Sequence, residues 1–248
     1  MCTLVILRRS GHDWPLIIAA NRDEMRDRPW RAPGRHWPDR PDIRGGLDEL
    51  AGGSWLAMND HGVVAAILNR RGSLGPADGK RSRGELVLDA LDHADAVDAV
   101  ESLSHLAANA YRSFNLLIAD NRDAYWIKSL GHGRVLASEI PDGLSMLTAS
   151  DLDDPTDPRI AHYLPRFAAV AKPEPEAGDW REWQALLALG VPPGTQDPSS
   201  ALCIRRDDGF GTSSSALIAL PAIGREIRPV WLFAAGPPGD VDFEPVPA

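Results

Sequence analysis

Cys2 follows the first methionine, and a cysteine there can supply two reactive groups at once if Met1 is removed. Its thiol would be the nucleophile and its own α-amine the base, since their ordinary pKa values of about 8.5 and about 7.7–8.0 lie close to neutrality. Such a site also needs a cation to favour thiolate, an acceptor to orient the amine and a donor for an oxyanion. The run Asn21-Arg22-Asp23-Glu24 holds two of these: Arg22 could favour thiolate, and Asp23 could hold the α-ammonium or amine. Asn69 could donate to the oxyanion. Taken alone, a cysteine at position 2 is ordinarily a structural thiol, and a polar strand end would account for Asn21 to Asp23. The tripeptide also recurs as Asn121-Arg122-Asp123, where it reads as a plain hairpin turn. The weight therefore rests on the pairing of the first copy with Cys2.

Other motifs fail on inspection. Gly75-Pro-Ala-Asp-Gly79-Lys80-Arg81 imitates a phosphate loop but is one residue short and has Arg where Ser or Thr is needed. Asp151-Leu-Asp-Asp-Pro-Thr-Asp lacks the Gly and Glu of a calcium loop. No His-Glu-x-x-His pattern is present, so no metal is expected, and no Gly-x-Ser-x-Gly elbow occurs. The Ser-rich run Gly209 to Ser215 reads as a hairpin turn. Between Arg22 and Arg44 several arginines crowd with Trp30 and Trp37. They form either a solvated loop paired with Asp23, Glu24, Asp27, Asp39 and Asp42, or a cationic aromatic wall for an anionic ligand.

The elements that must position these groups follow from the apolar pattern. Cys2–Leu7 and Leu16–Ala20 flank a Gly11-containing turn and read as a hairpin without a polar face, so both faces should be covered. With the turn near Gly11-His12, facing residue numbers should sum to about 23–25, which sets Cys2 opposite Asn21, Arg22 or Asp23. Residues 24–50 read as a long irregular loop. Ser54–Met58 and Val63–Leu68 form a second hairpin, and Ser82 with Glu85 fits a capping box ahead of one or two helices. Phe114–Ala119, Ala124–Leu130, Val135–Ser138 and Leu144–Thr148 read as a four-strand meander. A helix is predicted from Pro158 to about Val170, and a second one carries Trp180 and Trp183, with Asp179 as its cap. Strands around Ala201–Arg205, Ser214–Leu220 and Pro229–Ala234 follow, and residues 236–248 read as a loose tail. This order indicates one α+β domain over 1–248, with antiparallel sheets and helices packed outside.

Bulk properties exclude several classes. The 248 residues are 44% hydrophobic, enough for a sizeable core, and no apolar run nears the roughly 18 residues of a membrane helix. The net charge of −9 argues against a general nucleic-acid binder. The N-terminus lacks a signal-peptide pattern, so a cytoplasmic location is expected. With Cys2 and Cys203 the only cysteines, there is no disulfide framework, and Cys203 is expected to be an unpaired structural thiol.

Met1-Cys2-Thr3, Ala20-Asn21-Arg22-Asp23-Glu24 and Arg28-Pro29 resemble the opening of the NRDE, or transport and Golgi organisation, family. Gly52–Ala57, Gly62–Asn69, Ser82–Leu86 and Phe114–Asp120 are similar to its later blocks. The resemblance implies an αββα N-terminal-nucleophile sandwich akin to penicillin V acylases and bile salt hydrolases, with Cys2, Arg22, Asp23 and Asn69 as catalytic residues. Asn21, Trp30 and Asn115 are the candidate substrate-binding residues, and no cofactor is implied. Two departures stand out: Ala149 where the family has Asn, and Ser213 where it has Arg, with Arg205 or Arg206 as the candidate replacement for that guanidinium. Two functions follow. One is a cysteine hydrolase acting on a nonpeptide amide or related acyl bond of a small molecule. The other is a non-catalytic carrier of haem or another amphipathic anion.

Overall fold

The computed structural model describes residues 2–247. Its strands in chain order are β1 Thr3–Arg8, β2 Leu16–Met25, β3 Trp30–Gly34, β4 Ile43–Asp48, β5 Leu56–Asn59, β6 Val64–Asn69 and β7 Phe114–Ala119. They continue with β8 Ala124–Ser129, β9 Leu136–Glu139, β10 Gly143–Leu147, β11 Phe210–Leu220, β12 Val230–Ala234 and β13 Glu244–Pro245. The α-helices are α1 Glu85–Leu91, α2 Ala96–Ser104, α3 Pro158–Ala169 and α4 Arg181–Leu187. Among the described residues no helix is long and apolar enough to cross a membrane.

Two compact units result, one built from the chain up to Arg28 and from Asp142 onward, the other from Pro29–Pro141. The first holds an antiparallel sheet of order β10-β1-β2-β11-β12-β13. The predicted hairpin is its centre: Thr3 faces Asn21 and Leu4 faces Ala20, pairs whose numbers sum to 24. All six residues of β1 are buried, as two apolar faces require. On one face Val5, Leu7, Ile17, Ala19, Leu217 and Ala219 pack under Ile160, Tyr163 and Phe167 of α3 and Trp183 of α4. The spacing of those three α3 residues puts them on one helical stripe. β1 and β2 come from residues 3–25 and β10 to β13 from residues 143–245, so this sheet joins strands far apart in sequence.

The second unit is a sheet of order β3-β4-β5-β6-β7-β8-β9 with α1 and α2 packed on it around Ile43, Val63, Leu86, Leu91, Leu103 and Leu116. The second tripeptide, Asn121-Arg122-Asp123, is the turn between β7 and β8: Asp120 accepts the Arg122 and Asp123 N–H groups at 2.7 and 2.8 Å.

Several expectations are corrected. Residues 24–50 are not an irregular loop, because the end of β2, β3 and β4 lie there. The glycines that suggested a loop are a packing requirement: a Cβ on Gly45 would sit 2.4 Å from that of Ala57, and one on Gly46 2.2 Å from the Trp55 ring. Pro33 is tolerated because β3 is an edge strand. The tail is not loose where β13 pairs with β12 and the Val246 N–H reaches the Trp231 carbonyl at 2.8 Å. The meander has three strands, since β10 pairs with β1 after Gly143 turns the chain at a φ of 106°. No capping box forms. Ser82 accepts the Gly84 N–H, α1 starts at Glu85, and the Glu85 carboxylate takes the Tyr111 hydroxyl at 2.6 Å. Asp179 does accept the Arg181 N–H, one residue ahead of the cap position. Residues 201–205 are not a ladder strand, because the Ile204 N–H bonds the Thr212 hydroxyl instead. The Ser-rich run is no turn either: from Phe210 on it is the first half of β11, paired with β2 from Asn21 to Met25.

Candidate active site

Cys2 lies one residue ahead of β1, half-buried, and its thiol points at the Asp23 carbonyl with Sγ 3.8 Å from the oxygen. The hairpin register brings it there: Thr3 faces Asn21, so the next step outward sets Cys2 beside Arg22. Burial pushes the thiol above its ordinary pKa, and the Asp23 charge adds to this. A hydrogen bond with the Asp23 backbone and the Arg22 charge act the other way but lose. The Arg22 charge acts toward thiolate, but burial outweighs it and the group rests as a thiol.

Arg22 is buried and donates from Nη1 to the Ser213 hydroxyl at 2.9 Å, while that hydroxyl donates to the Arg22 carbonyl at 3.2 Å. The ladder between β2 and β11 slips between Thr212 and Ser214, and Ser213 occupies this bulge. Ser213, where the resemblance implies an arginine, thus orients Arg22. Arg205 and Arg206 do not substitute for it, since they pair with Asp240 and Asp208 on the surface.

Asp23 turns its carboxylate into a buried cluster on the helix-packed face of the sheet. One oxygen accepts the Thr212 hydroxyl at 2.6 Å, and the other lies 3.4 Å from Nη1 of Arg159. The Asp23 and Arg159 side chains are 0% and 3% exposed, so little water screens the pair. Arg159 also donates to the Thr3 hydroxyl at 2.7 Å and, from Nη2, to the Ser199 carbonyl at 2.7 Å. It is held by the start of α3, where Asp157 caps the Arg159 and Ile160 N–H groups and takes the Thr148 and Ser150 hydroxyls. Burial alone would raise the Asp157 carboxyl, but the Ser150 hydroxyl, the Ile160 N–H, the Thr148 hydroxyl and the Arg159 N–H together hold it below the usual range.

Sequence reading missed Arg159 and Thr212. A signal for the first was available: Pro158 opens the helix, and an arginine in a first helical turn opposes the macrodipole. Such a residue needs a carboxylate or carbonyls elsewhere. Thr212 was hidden by reading its run as a turn.

The remaining candidates are placed as follows. Asn21 is 1% exposed, donates to the Leu187 and Leu202 carbonyls at 3.0 Å each, and accepts the Ser215 hydroxyl at 2.5 Å. It is a strut between β2, β11 and the α4 end. In the second unit Asn69 is the half-buried last residue of β6, facing Phe114 across the ladder. Asn115 is fully buried and its amide oxygen accepts from Arg70 at 2.6 Å and Trp126 at 3.1 Å. Trp30 stands edge-on to Trp55 at 5.7 Å. In the Arg/Trp segment Arg31, Arg35 and Arg40 pair with Glu49, Asp60 and Asp89/Asp92 rather than with the acidic residues expected, while Arg28 does lie 3.9 Å from Glu24. Cys203 is buried and unpaired, with its thiol pushed up by burial. The first unit thus brings together Cys2, Arg22 and Asp23. Met1, whose removal decides whether Cys2 has a free amine, lies outside the described residues.

The sequence profile of Transport and Golgi organisation 2 matches residues 1–225. The chain belongs to this family. It is 36% identical over 121 residues to a Transport and Golgi organization protein 2 homolog of Bos taurus and 37% over 117 residues to that of Homo sapiens. Each match spans 45% of this chain and 41% of the relative, less than half of either. Among solved structures, the Caenorhabditis elegans N-acylethanolamine-hydrolyzing acid amidase ortholog aligns with a TM-score of 0.58 at 13% identity, over 88% of this chain and 92% of that one. Penicillin V acylase from Agrobacterium tumefaciens aligns at 0.54 and 15%, over 94% and 83%. A variant of conjugated bile acid hydrolase from Clostridium perfringens aligns at 0.56 and 13%, over 99% and 92%. At such identities the likeness carries the fold alone: an α+β fold of the N-terminal-nucleophile type, as the resemblance implied.

Proposed function

We propose that this chain is a cysteine N-terminal-nucleophile hydrolase acting on a nonpeptide amide or related acyl bond. The observation that carries the reading is the Cys2 thiol set against the Asp23 carbonyl by the β1–β2 register, with Arg22 alongside. In the mature chain the α-amine of Cys2 takes the thiol proton as sulfur attacks the acyl carbon. The C–N bond breaks, the proton passes to the leaving amine, and a thioester remains on sulfur. Water, deprotonated by the same amine, then attacks the thioester and frees the acid and the thiol. A resting thiol suits this sequence, because the proton needed by the leaving amine is already in the site.

The test is intact-mass analysis of protein without Met1 after exposure to an electrophilic amide or lactam. A mass increase mapping to Cys2, lost in Cys2→Ala and slowed in Cys2→Ser, is the expected outcome. If Cys2→Ala leaves every measured activity unchanged, the reading falls. Haem or another amphipathic anion that binds without turnover, and binds less well when the arginines from Arg22 to Arg44 are neutralised, would favour the carrier function instead.

A further inference from the structure

We propose that Arg159 is a positioning residue for Cys2, acting through Asp23 from the start of helix α3. This rests on the reading of Cys2 as nucleophile and adds to it a residue that neither the motif nor the strand register contains. The guanidinium spans the two strands that make the site: it holds the hydroxyl of Thr3, the residue next to Cys2, at 2.7 Å and the Asp23 carboxylate at 3.4 Å. Its second nitrogen is anchored to the Ser199 carbonyl, and Asp157 fixes the helix turn from which it projects. The carboxylate also takes the hydroxyl of Thr212, whose own oxygen accepts the Ile204 N–H at 2.8 Å. Thr3, Asp23, Asp157, Arg159, Ile204 and Thr212 are all buried.

Burial is what gives the arrangement its leverage. The field of a carboxylate that faces a guanidinium inside the protein is reduced beyond the pair by the opposite charge. Without Arg159 the Asp23 charge would act on Cys2 with that compensation removed, and the carboxylate would lose the cation that helps to seat it. The charged groups that bear on Cys2 among the described residues are Asp23 and Arg22, both on β2. Those that share the field of the pair are Cys203, which feels Asp23, and Tyr163 and Asp197, which feel Arg159.

The experiment reads the pH midpoint of Cys2 alkylation by iodoacetamide in protein lacking Met1, with the site assigned by peptide mass and folding checked by thermal melting. Arg159→Gln is expected to move the midpoint up by about half to one pH unit, a three- to tenfold slower reaction on the acid side, with Arg159→Lys restoring most of the shift. Asp23→Asn is expected to lower the midpoint and to remove most of the effect of Arg159→Gln. A folded Arg159→Gln protein that melts earlier but keeps the wild-type midpoint would show a purely structural role and overturn the proposal. So would a shift that persists undiminished in the Asp23→Asn background, since Arg159 would then act on its own charge. Should Arg159→Gln fail to fold, Asp23→Asn and the double variant Asp23→Asn/Arg159→Gln carry the decision, because neither leaves a buried carboxylate without its cation. An unchanged midpoint in Asp23→Asn, or a double variant raised above it, overturns the proposal. Alkylation needs no amide turnover, so loss of the hydrolase reading with the midpoint shifts intact would be seen as such.

Discussion

Replacing Asn21 by Ala separates its structural role from a substrate-binding one. The side chain makes buried hydrogen bonds to the Leu187 and Leu202 carbonyls and to the Ser215 hydroxyl. Each bond contributes about 1 kcal/mol net, and leaving buried partners unsatisfied adds about 1–3 kcal/mol, so the expected loss is about 4 kcal/mol. For a chain of this length that is a fall in Tm of roughly 8–16 °C. Urea unfolding followed by tryptophan fluorescence is a direct readout, because the buried Trp183 lies on α4, whose last residue Asn21 holds. Asn21→Asp should be worse near neutral pH, where a carboxylate would face two carbonyl oxygens, and should recover partly as acid gives it a proton to donate. A loss below about 1 kcal/mol in Asn21→Ala with an unchanged denaturant slope would refute the strut and return Asn21 to the pool of ligand contacts.

Asp157→Ala should cost about 2–3 kcal/mol, since it removes the α3 cap and the Thr148 and Ser150 bonds. Because its folded pKa is depressed, this contribution is present above the ordinary value of about 3.9 and lost as pH falls through the depressed one, so the variant's acid branch should be flatter in pH-dependent melts. The two thiols are both pushed up by burial, so iodoacetamide should label Cys2 slowly at neutral pH and faster as pH rises, and Cys203 only after unfolding. Their raised pKa values also mean that any stability they contribute is present below about 8.5 and lost at higher pH, which melts in alkaline buffer can follow. Gly53→Ala should destabilise by about 1–3 kcal/mol, because the new Cβ would lie 2.4 Å from the Gly84 carbonyl carbon, a backbone atom that cannot swing aside.

The alternation-free hairpin, the α3 boundaries and the seat of Cys2 beside Arg22 and Asp23 were all legible in the sequence. These depend on local pattern: two apolar runs around a tight turn admit few registers, and Asp157-Pro158 marks a helix start by capping and a fixed φ. The strands within residues 24–50 were not legible, because their glycines are there for close contact with Ala57 and Trp55, which no local pattern reports.

The tripeptide Asn-Arg-Asp shows where the boundary falls. At 121–123 it is a turn stabilised by Asp120, whose carboxylate takes N–H groups two and three residues on, a local contact that the sequence can announce. At 21–23 the same three residues are strand, held by Ser215, Ser213 and Thr212 of β11 and by Arg159 of α3. By itself the sequence determined that Cys2 would meet the run Asn21 to Asp23, since a hairpin register is short-range. That the Asp23 carboxylate would face Arg159, and that Ser213 would orient Arg22, was decided only by the tertiary structure. Those partners lie 136 and 191 residues away, and burial, which no spacing encodes, is what makes their charges and hydroxyls matter.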